Sequence, residues 1–249
     1  MKVTSIKTEK VIIGKINLFQ LLKKYLPPIK EKTIIVVTSK IVSICEGRVV
    51  KIGSIEKKKI IEQEADYYLP SKESKYNITF TIKQNLLIAT AGIDESNGNG
   101  YYILWPSDPQ KSANGIREYL QKTYFLRDVG VIITDSKTTP LKWGVTGTAI
   151  AHSGFLALYN YIGKPDIFGR PLEVTQTNIM EAMAGSAVLL MGEGDEQRPL
   201  AIIKDIPFVK FQNRNPSKEE LNNLKISIED DLYAPLLKSV NWLKGRAST

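Results

Sequence analysis

The chain carries one cysteine, Cys45, and one histidine, His152, among its 249 residues. A single thiol excludes an intramolecular disulfide and a multi-cysteine zinc site, and it fits a reducing compartment. One imidazole cannot build a His-rich metal centre, and with Cys45 far away in sequence it supplies no conventional triad. Both residues are read as structural, Cys45 as a small buried hydrophobe. No apolar run approaches the roughly 20 residues that a membrane helix needs, and the N-terminus lacks a signal-peptide core. Internal repeats and low-complexity segments are also absent. The expectation is a cytoplasmic protein without a membrane partner.

Hydrophobic residues make up 43% of the chain and charged residues 24%, a balance that supports a sizeable folded core and argues against disorder. The formal net charge of +8 favours anionic partners. The basic residues are spread along the chain and interleaved with Glu, as in residues 55–64, so a nucleic-acid stripe is not expected. Small phosphorylated or carboxylated molecules fit better.

The stretch from Val129 to Gly154 organises the rest. Its apolar run Val129–Ile133 ends in Thr134, Asp135 and Ser136, which predicts a buried strand delivering an acidic residue to a sheet edge, where ligands often sit. Gly144, Gly147 and Gly154 then suggest a glycine-rich loop.

Upstream, Lys2–Lys7 alternates like a strand, and Leu18–Tyr25 has helical spacing before Pro27 and Pro28 stop it. Ile34–Val37 is a second β-branched run, followed by Ser39 and Lys40, a hydroxyl and a point charge suited to a phosphate. Residues 55–68 read as a charged helix; Ile78–Ile82 and Leu86–Ala89 read as an antiparallel pair. The polar loop after Gly92 presents Asp94, Ser96 and Asn97, which could orient a substrate. Ser112 is a plausible cap for a helix carrying Arg117, Ile116, Leu120 and Tyr124, with Asp108 just before it.

Downstream, Phe155–Ile162 and Thr177–Leu190 read as helices, and Gly192 would end the second and present Glu193. Leu200–Ile203 reads as a strand. Ser217 with Glu220, and Ser227 with Asp230, resemble capping boxes of two terminal helices, the second broken or restarted by Pro235. Asp108, Asp135 and Glu193 thus each stand at the end of a regular element, and hard oxygen ligands of this kind suit Mg2+ or Mn2+.

The order of these blocks closely resembles the coenzyme F420 γ-glutamyl ligase family over residues 1–212. The resemblance rests on Ser39-Lys40-Ile41-Val42-Ser43 with Glu46-Gly47-Arg48, on residues 91–97, and on Asp108-Pro109 with Ser112-Ala113 and Ile116-Arg117. It continues through residues 131–136, Gly147, Ala149-Ile150, Gly154, residues 163–170 and residues 189–194. It implies a mixed α/β (α+β) fold with mixed or antiparallel sheets and flanking helices, assembled as a homodimer; residues 213–249, beyond the resemblance, read from their capping signals as a C-terminal helical extension packed on that domain.

By position, the resemblance implies a first metal on Asp108 and Asp135, and a second on Ser136, where a Thr is usual, with Glu193. It places the nucleotide, GTP or ATP, against Lys10, Val11 and Ile12, Ser39 and Lys40, Lys111, and the loop Met191, Gly192, Glu193 and Gly194. Two divalent ions and often K+ are implied, with L-glutamate joined through its amine to an acceptor carboxylate by way of an acyl phosphate. Asp108, Asp135 and Lys40 would carry the catalysis. Asp94, Ser96, Asn97, Arg117, Lys142 and Trp143 are the candidate substrate contacts.

Two departures bear on the acceptor. Family members usually carry Gly-Arg and further Arg after the Asp-Thr pair, whereas this chain has Thr138-Thr139-Pro140-Leu141-Lys142-Trp143. Ile44 replaces a Lys that commonly touches the nucleotide. Fewer arginine forks weaken bidentate recognition of a phosphodiester, and Trp143 adds a flat stacking surface. The segment Thr138-Thr139-Pro140-Leu141 resembles that of related proteins assigned to folate metabolism, and this resemblance implies folate polyglutamylation, with a tetrahydrofolate-type acceptor; the alternatives are the deazaflavin acceptor F420-0 and a non-catalytic nucleotide or metal binder.

Overall fold

Two β-branched runs dictate the centre of the fold. In the computed structural model, which describes residues 1–70, 72 and 74–247, Thr33–Thr38 and Val129–Thr138 lie side by side in one sheet. In chain order the first elements are β1 (Lys2–Ile6), α1 (Leu18–Tyr25), β2 (Thr33–Thr38), α2 (Ser39–Glu46), β3 (Val49–Lys51) and α3 (Lys57–Glu64). There follow β4 (Tyr67–Leu69), β5 (Phe80–Lys83), β6 (Leu86–Ala89), β7 (Tyr101–Ile103), α4 (Pro109–Tyr124), β8 (Val129–Thr138) and β9 (Val145–Ser153). The last are β10 (Leu158–Asn160), β11 (Gln176–Asn178), α5 (Ile179–Met191), β12 (Leu200–Lys204), α6 (Lys218–Asn222), α7 (Ala234–Leu237) and β13 (Leu243–Lys244).

The five-stranded sheet runs β1-β12-β2-β8-β9, with β2 and β8 parallel and every other neighbour antiparallel. Alternation sends Ile35, Val37, Val131 and Ile133 to one face, under Leu21 and Leu22 of α1, Val42 of α2, and Ile116 and Leu120 of α4. Ile34, Val36 and Ile132 face the other way, against Met183, Ala184 and Ala187 of α5. Each Ile or Val fully buried in this way contributes about 1.5–3 kcal/mol, so the helix–sheet–helix sandwich holds the sheet edge in place. A second sheet, β13-β4-β5-β6, meets β8 through β6, and a small separate core forms around Ile60, Ile61, Tyr102 and Leu104. The mixed α and β architecture is the one expected.

Several local expectations change. Residues 144–154 are not a loop: β8 and β9 form a hairpin in which Asp135 pairs with Thr148 and Ser136 with Gly147. Gly147 is there because α5 crosses it, and a Cβ would collide with Val188 and the carbonyl of Ala184. Phe155–Ile162 is not helical; Phe155 is fully buried, bridges to Phe211, and leads into β10. Its apolar residues serve a core contact and not a helix face. The helix of residues 55–68 is shorter, Lys57–Glu64, and gives way to β4. Asp108, not Ser112, caps α4, with Pro109 in its first turn and the Lys111 N–H donating to Asp108 Oδ1 at 2.9 Å.

The tail mixes structure types. Ser217 and Glu220 make a full capping box for α6, Ser227 and Asp230 close only a turn, and Pro235 starts α7. Its last element, β13, pairs with β4. Among the described residues, no helix is long and apolar enough to cross a membrane.

Candidate functional site

The sheet register brings four distant segments to one edge. Ile6 at the end of β1 pairs with Leu200, Leu200 with Val37, and Thr38 with Thr134. Residues 7–12 and 39–40 therefore leave the sheet together, β8 runs on past the end of β2 paired only with β9 and carries Asp135 and Ser136, and 192–199 enter from the side of β12. Thr8 N–H donates to Gln197 O at 2.8 Å and Thr38 N–H to Pro199 O at 3.1 Å, which locks these segments to each other. Adjacent parallel strands ending at one edge make a crevice where α/β folds commonly bind ligands.

That crevice is a cleft of about 270 Å3 lined by Lys40, Asp94, Asp135, Ser136, Lys137, Glu193 and neighbouring backbone. A register shift between Ile133 and Thr134 marks a bulge just before Asp135. Asp135 receives the Trp105 indole N–H on Oδ2 at 2.5 Å and the Ser136 backbone N–H on Oδ1 at 2.8 Å. Burial nevertheless pushes its carboxyl up to about 6, because those donors only partly replace lost water. Ser136 Oγ donates to Glu193 Oε1 at 2.6 Å.

Lys40, at the start of α2, places Nζ 2.6 Å from Asp94 Oδ2 and 3.2 Å from both Ser96 O and Oγ. Asp94 in turn accepts from the Ser96 N–H and hydroxyl, at 2.7 and 2.8 Å. Burial works against its charge, yet Lys40 and Ser96 together hold its carboxyl below the ordinary range. Asn97 Nδ2 reaches across to Gly194 O at 3.1 Å, so the loop of residues 94–97 closes on the glutamate-bearing loop.

Not every expected residue gathers here. Asp108 lines a second cavity, of about 410 Å3, with Gln110, His152, Asn178, Glu181 and Lys225. The three carboxylates expected to act together are therefore split within one chain: Asp135 and Glu193 line the cleft, and the cap of α4 fixes Asp108 in the second cavity. Arg117 lines neither cavity; it is 4% exposed, and its guanidinium donates to Asn215 and Gln121. Lys111 lines neither cavity. Lys142 and Trp143 stand at the tip of the hairpin, where Trp143 is 94% exposed, and neither lines the cleft, which reaches Thr138 and Val145 at the base of that tip. Ser39 is buried beneath it, and Val11 packs on the core between exposed Lys10 and Ile12. Ile44, which replaces an expected lysine, is a buried core residue.

Two further residues bear on the site: Lys137 lines the cleft, and Trp105, buried behind it, bonds Asp135. A fully buried tryptophan needs a partner for its N–H, and that requirement is the signal that pointed to a nearby acceptor.

Among the described residues no group of three or more His, Cys, Asp or Glu side chains forms a cation cage. Asp135, Glu193 and the Ser136 hydroxyl still fit Mg2+ or Mn2+, which are commonly held by one or two carboxylates with substrate phosphates and water completing the shell. Burial outweighs what Lys40 and the two N–H donors give the Asp135 carboxylate, and a divalent ion would stabilise that charge.

Comparison with known proteins identifies the family. The family F420-0:Gamma-glutamyl ligase matches residues 6–205. Similar proteins include the coenzyme F420:L-glutamate ligase of Methanocaldococcus jannaschii, 34% identical over 232 residues that cover 83% of this chain and 90% of that one. The proteins of the same name from Methanococcus maripaludis strain C7 and Methanosarcina mazei are 33% and 31% identical, covering 77% and 72% of this chain and 82% and 76% of theirs. These names overturn the folate-type acceptor expected from Trp143 and the missing arginines: the relatives are named for coenzyme F420, and the segment that prompted the idea lies at an exposed hairpin tip. The chain belongs to the F420-0:gamma-glutamyl ligase family and, with it, to the acid–amino-acid ligases that form a γ-glutamyl amide bond.

Proposed function

We propose that this protein is a coenzyme F420-0:L-glutamate ligase, joining the amine of L-glutamate to a carboxylate of the deazaflavin acceptor with GTP or ATP as co-substrate. The observation that carries the reading is the meeting of Lys40, Asp135, Ser136 and Glu193 at one sheet edge in a chain of this family. In the first step an acceptor carboxylate oxygen bonds to the γ-phosphorus while the bond to the β-phosphate oxygen breaks, giving an acyl phosphate and a nucleoside diphosphate. The glutamate amine then bonds to the acyl carbon, inorganic phosphate leaves, and the amine loses a proton. Such chemistry asks the protein to align anions and neutralise charge, not to supply a nucleophile.

Asp135, Ser136 and Glu193 would hold divalent metal, Mg2+ or Mn2+, which when bound supplies positive charge at the phosphoryl oxygens. Two such ions and K+ are part of the same reading. Lys40 adds a point charge, kept in place by Asp94 and Ser96 until phosphate competes for it. A cleft of about 270 Å3 suits the phosphates better than a whole nucleotide. Ribose and base would lie along the rim, past Lys10, Val11 and Ile12 and the loop Met191–Gly194.

A homodimer belongs to the proposal as well. Leu141 and Trp143 at one hairpin tip, and Ile167 and Phe168 on the loop after β10, are almost fully exposed, a pattern that a second subunit would cover. The test is incubation of the purified chain with F420-0, L-glutamate, Mg2+ or Mn2+, and each nucleotide in turn. A nucleotide-dependent mass increase of one glutamyl unit is expected, and its absence with both nucleotides would refute the assignment.

A further inference from the structure

Behind Asp135, outside the lining of the cleft, lies a buried network that the proposed chemistry does not use. Trp105 is 1% exposed and donates its indole N–H to Asp135 Oδ2. Lys83, 5% exposed, sits with Nζ 5.1 Å from the centroid of the Trp105 rings. Its ammonium donates to Glu64 Oε2 at 2.8 Å, and Arg48 grips both oxygens of Glu64 at 2.8 Å. Arg48 Nε closes the circuit on the Trp105 carbonyl at 3.1 Å. From the remaining side Gly92, at φ +70°, leaves no room: a Cβ there would collide with Trp105 Nε1. The indole is thus held by a cation on its face, an ion-pair cluster at its backbone and a glycine at its N–H edge.

We infer that Trp105 is a positioning residue, whose indole N–H sets the plane of the Asp135 carboxylate, with the Glu64–Arg48–Lys83 cluster fixing the indole in turn. An ionised carboxylate offers about four lone-pair directions. Trp105 and the Ser136 N–H take one on each oxygen from the protein side, which leaves the others directed at the cleft. Groups that orient a ligand from behind commonly change metal affinity about 10–100-fold when removed. The inference rests on the reading of Asp135 as a cation ligand.

The test is Mn2+ binding to the full chain, followed by loss of the free-ion electron paramagnetic resonance signal, with thermal unfolding of every variant as a folding control. Trp105→Phe keeps the ring and removes the donor; it should bind Mn2+ about 10-fold more weakly than wild type. Gly92→Ala displaces the N–H without deleting it and should weaken binding in the same direction. Wild-type affinity in folded Trp105→Phe, or in folded Gly92→Ala, would overturn the inference alone. No Mn2+ binding by the wild-type chain would overturn the cation reading beneath it.

Discussion

Ser136 Oγ lies 2.6 Å from Glu193 Oε1, a contact between residues 57 apart in the chain. It exists because β8 carries Ser136 past the end of β2 and α5 is capped by Gly192, so that the next residue turns back over the strand. If the pair holds a cation, the hydroxyl and the carboxylate are both ligands. Ser136→Ala and Glu193→Gln should each lower glutamate transfer about 10–100-fold, while Ser136→Thr, which keeps the hydroxyl, should stay within a few-fold of wild type. Initial rates at saturating Mg2+ check this.

Lys40 is tied to Asp94 at 2.6 Å in a setting only partly open to water. Lys40→Met should reduce the rate about 100–1,000-fold, the usual loss when one positioned donor to a developing anion is removed. Asp94→Asn leaves Lys40 with Ser96 and should cost much less. Steady-state kinetics with nucleotide varied separates the two.

His152 is the one histidine, 2% exposed and edge-on to Phe155 with ring centroids 5.2 Å apart. Burial pulls its pKa down to about 4, from 6.5. The unfolded chain therefore takes up a proton between those values while the native chain does not, so the stabilisation is present above about 6.5 and is lost as pH falls through about 4. The loss is on the order of 3 kcal/mol. The imidazole Hε1 resonance should titrate with a midpoint near 4; a midpoint near 6.5 would contradict the buried neutral ring.

Gly147→Ala tests the packing of α5 on the hairpin, since the new methyl would meet Val188 and the Ala184 carbonyl. Overpacking of this sort costs about 1–3 kcal/mol. Denaturant unfolding should show that loss, while Gly144→Ala, where nothing lies near the added atom, should show only the smaller effect of its φ of +94°.

Much of this site was legible in sequence because its residues sit where strong local rules end. Val129–Ile133 is a buried strand by composition, and Asp135 follows it; Leu189–Met191 is helical, and Gly192 stops it so that Glu193 turns outward. What sequence could not give was depth and side. Arg117 and Asp108 share a helix with the expected features, yet α4 directs one into the core and the other to a second cavity. Trp143 looked like a stacking surface, but a strand pairing that runs to Thr138↔Val145 carries it out to the hairpin tip. Phe155–Ile162 had helical spacing, and the tertiary contact of Phe155 with Phe211 overrode it.

The most direct measurement is product mass after incubation with F420-0, L-glutamate, Mg2+ and nucleotide, run in parallel on wild type and Asp135→Asn. One added glutamyl unit from wild type, with the rate reduced at least about 100-fold in a folded Asp135→Asn, is the expected result. Glutamate transfer at the wild-type rate by Asp135→Asn, or none by wild type, would contradict the central claim.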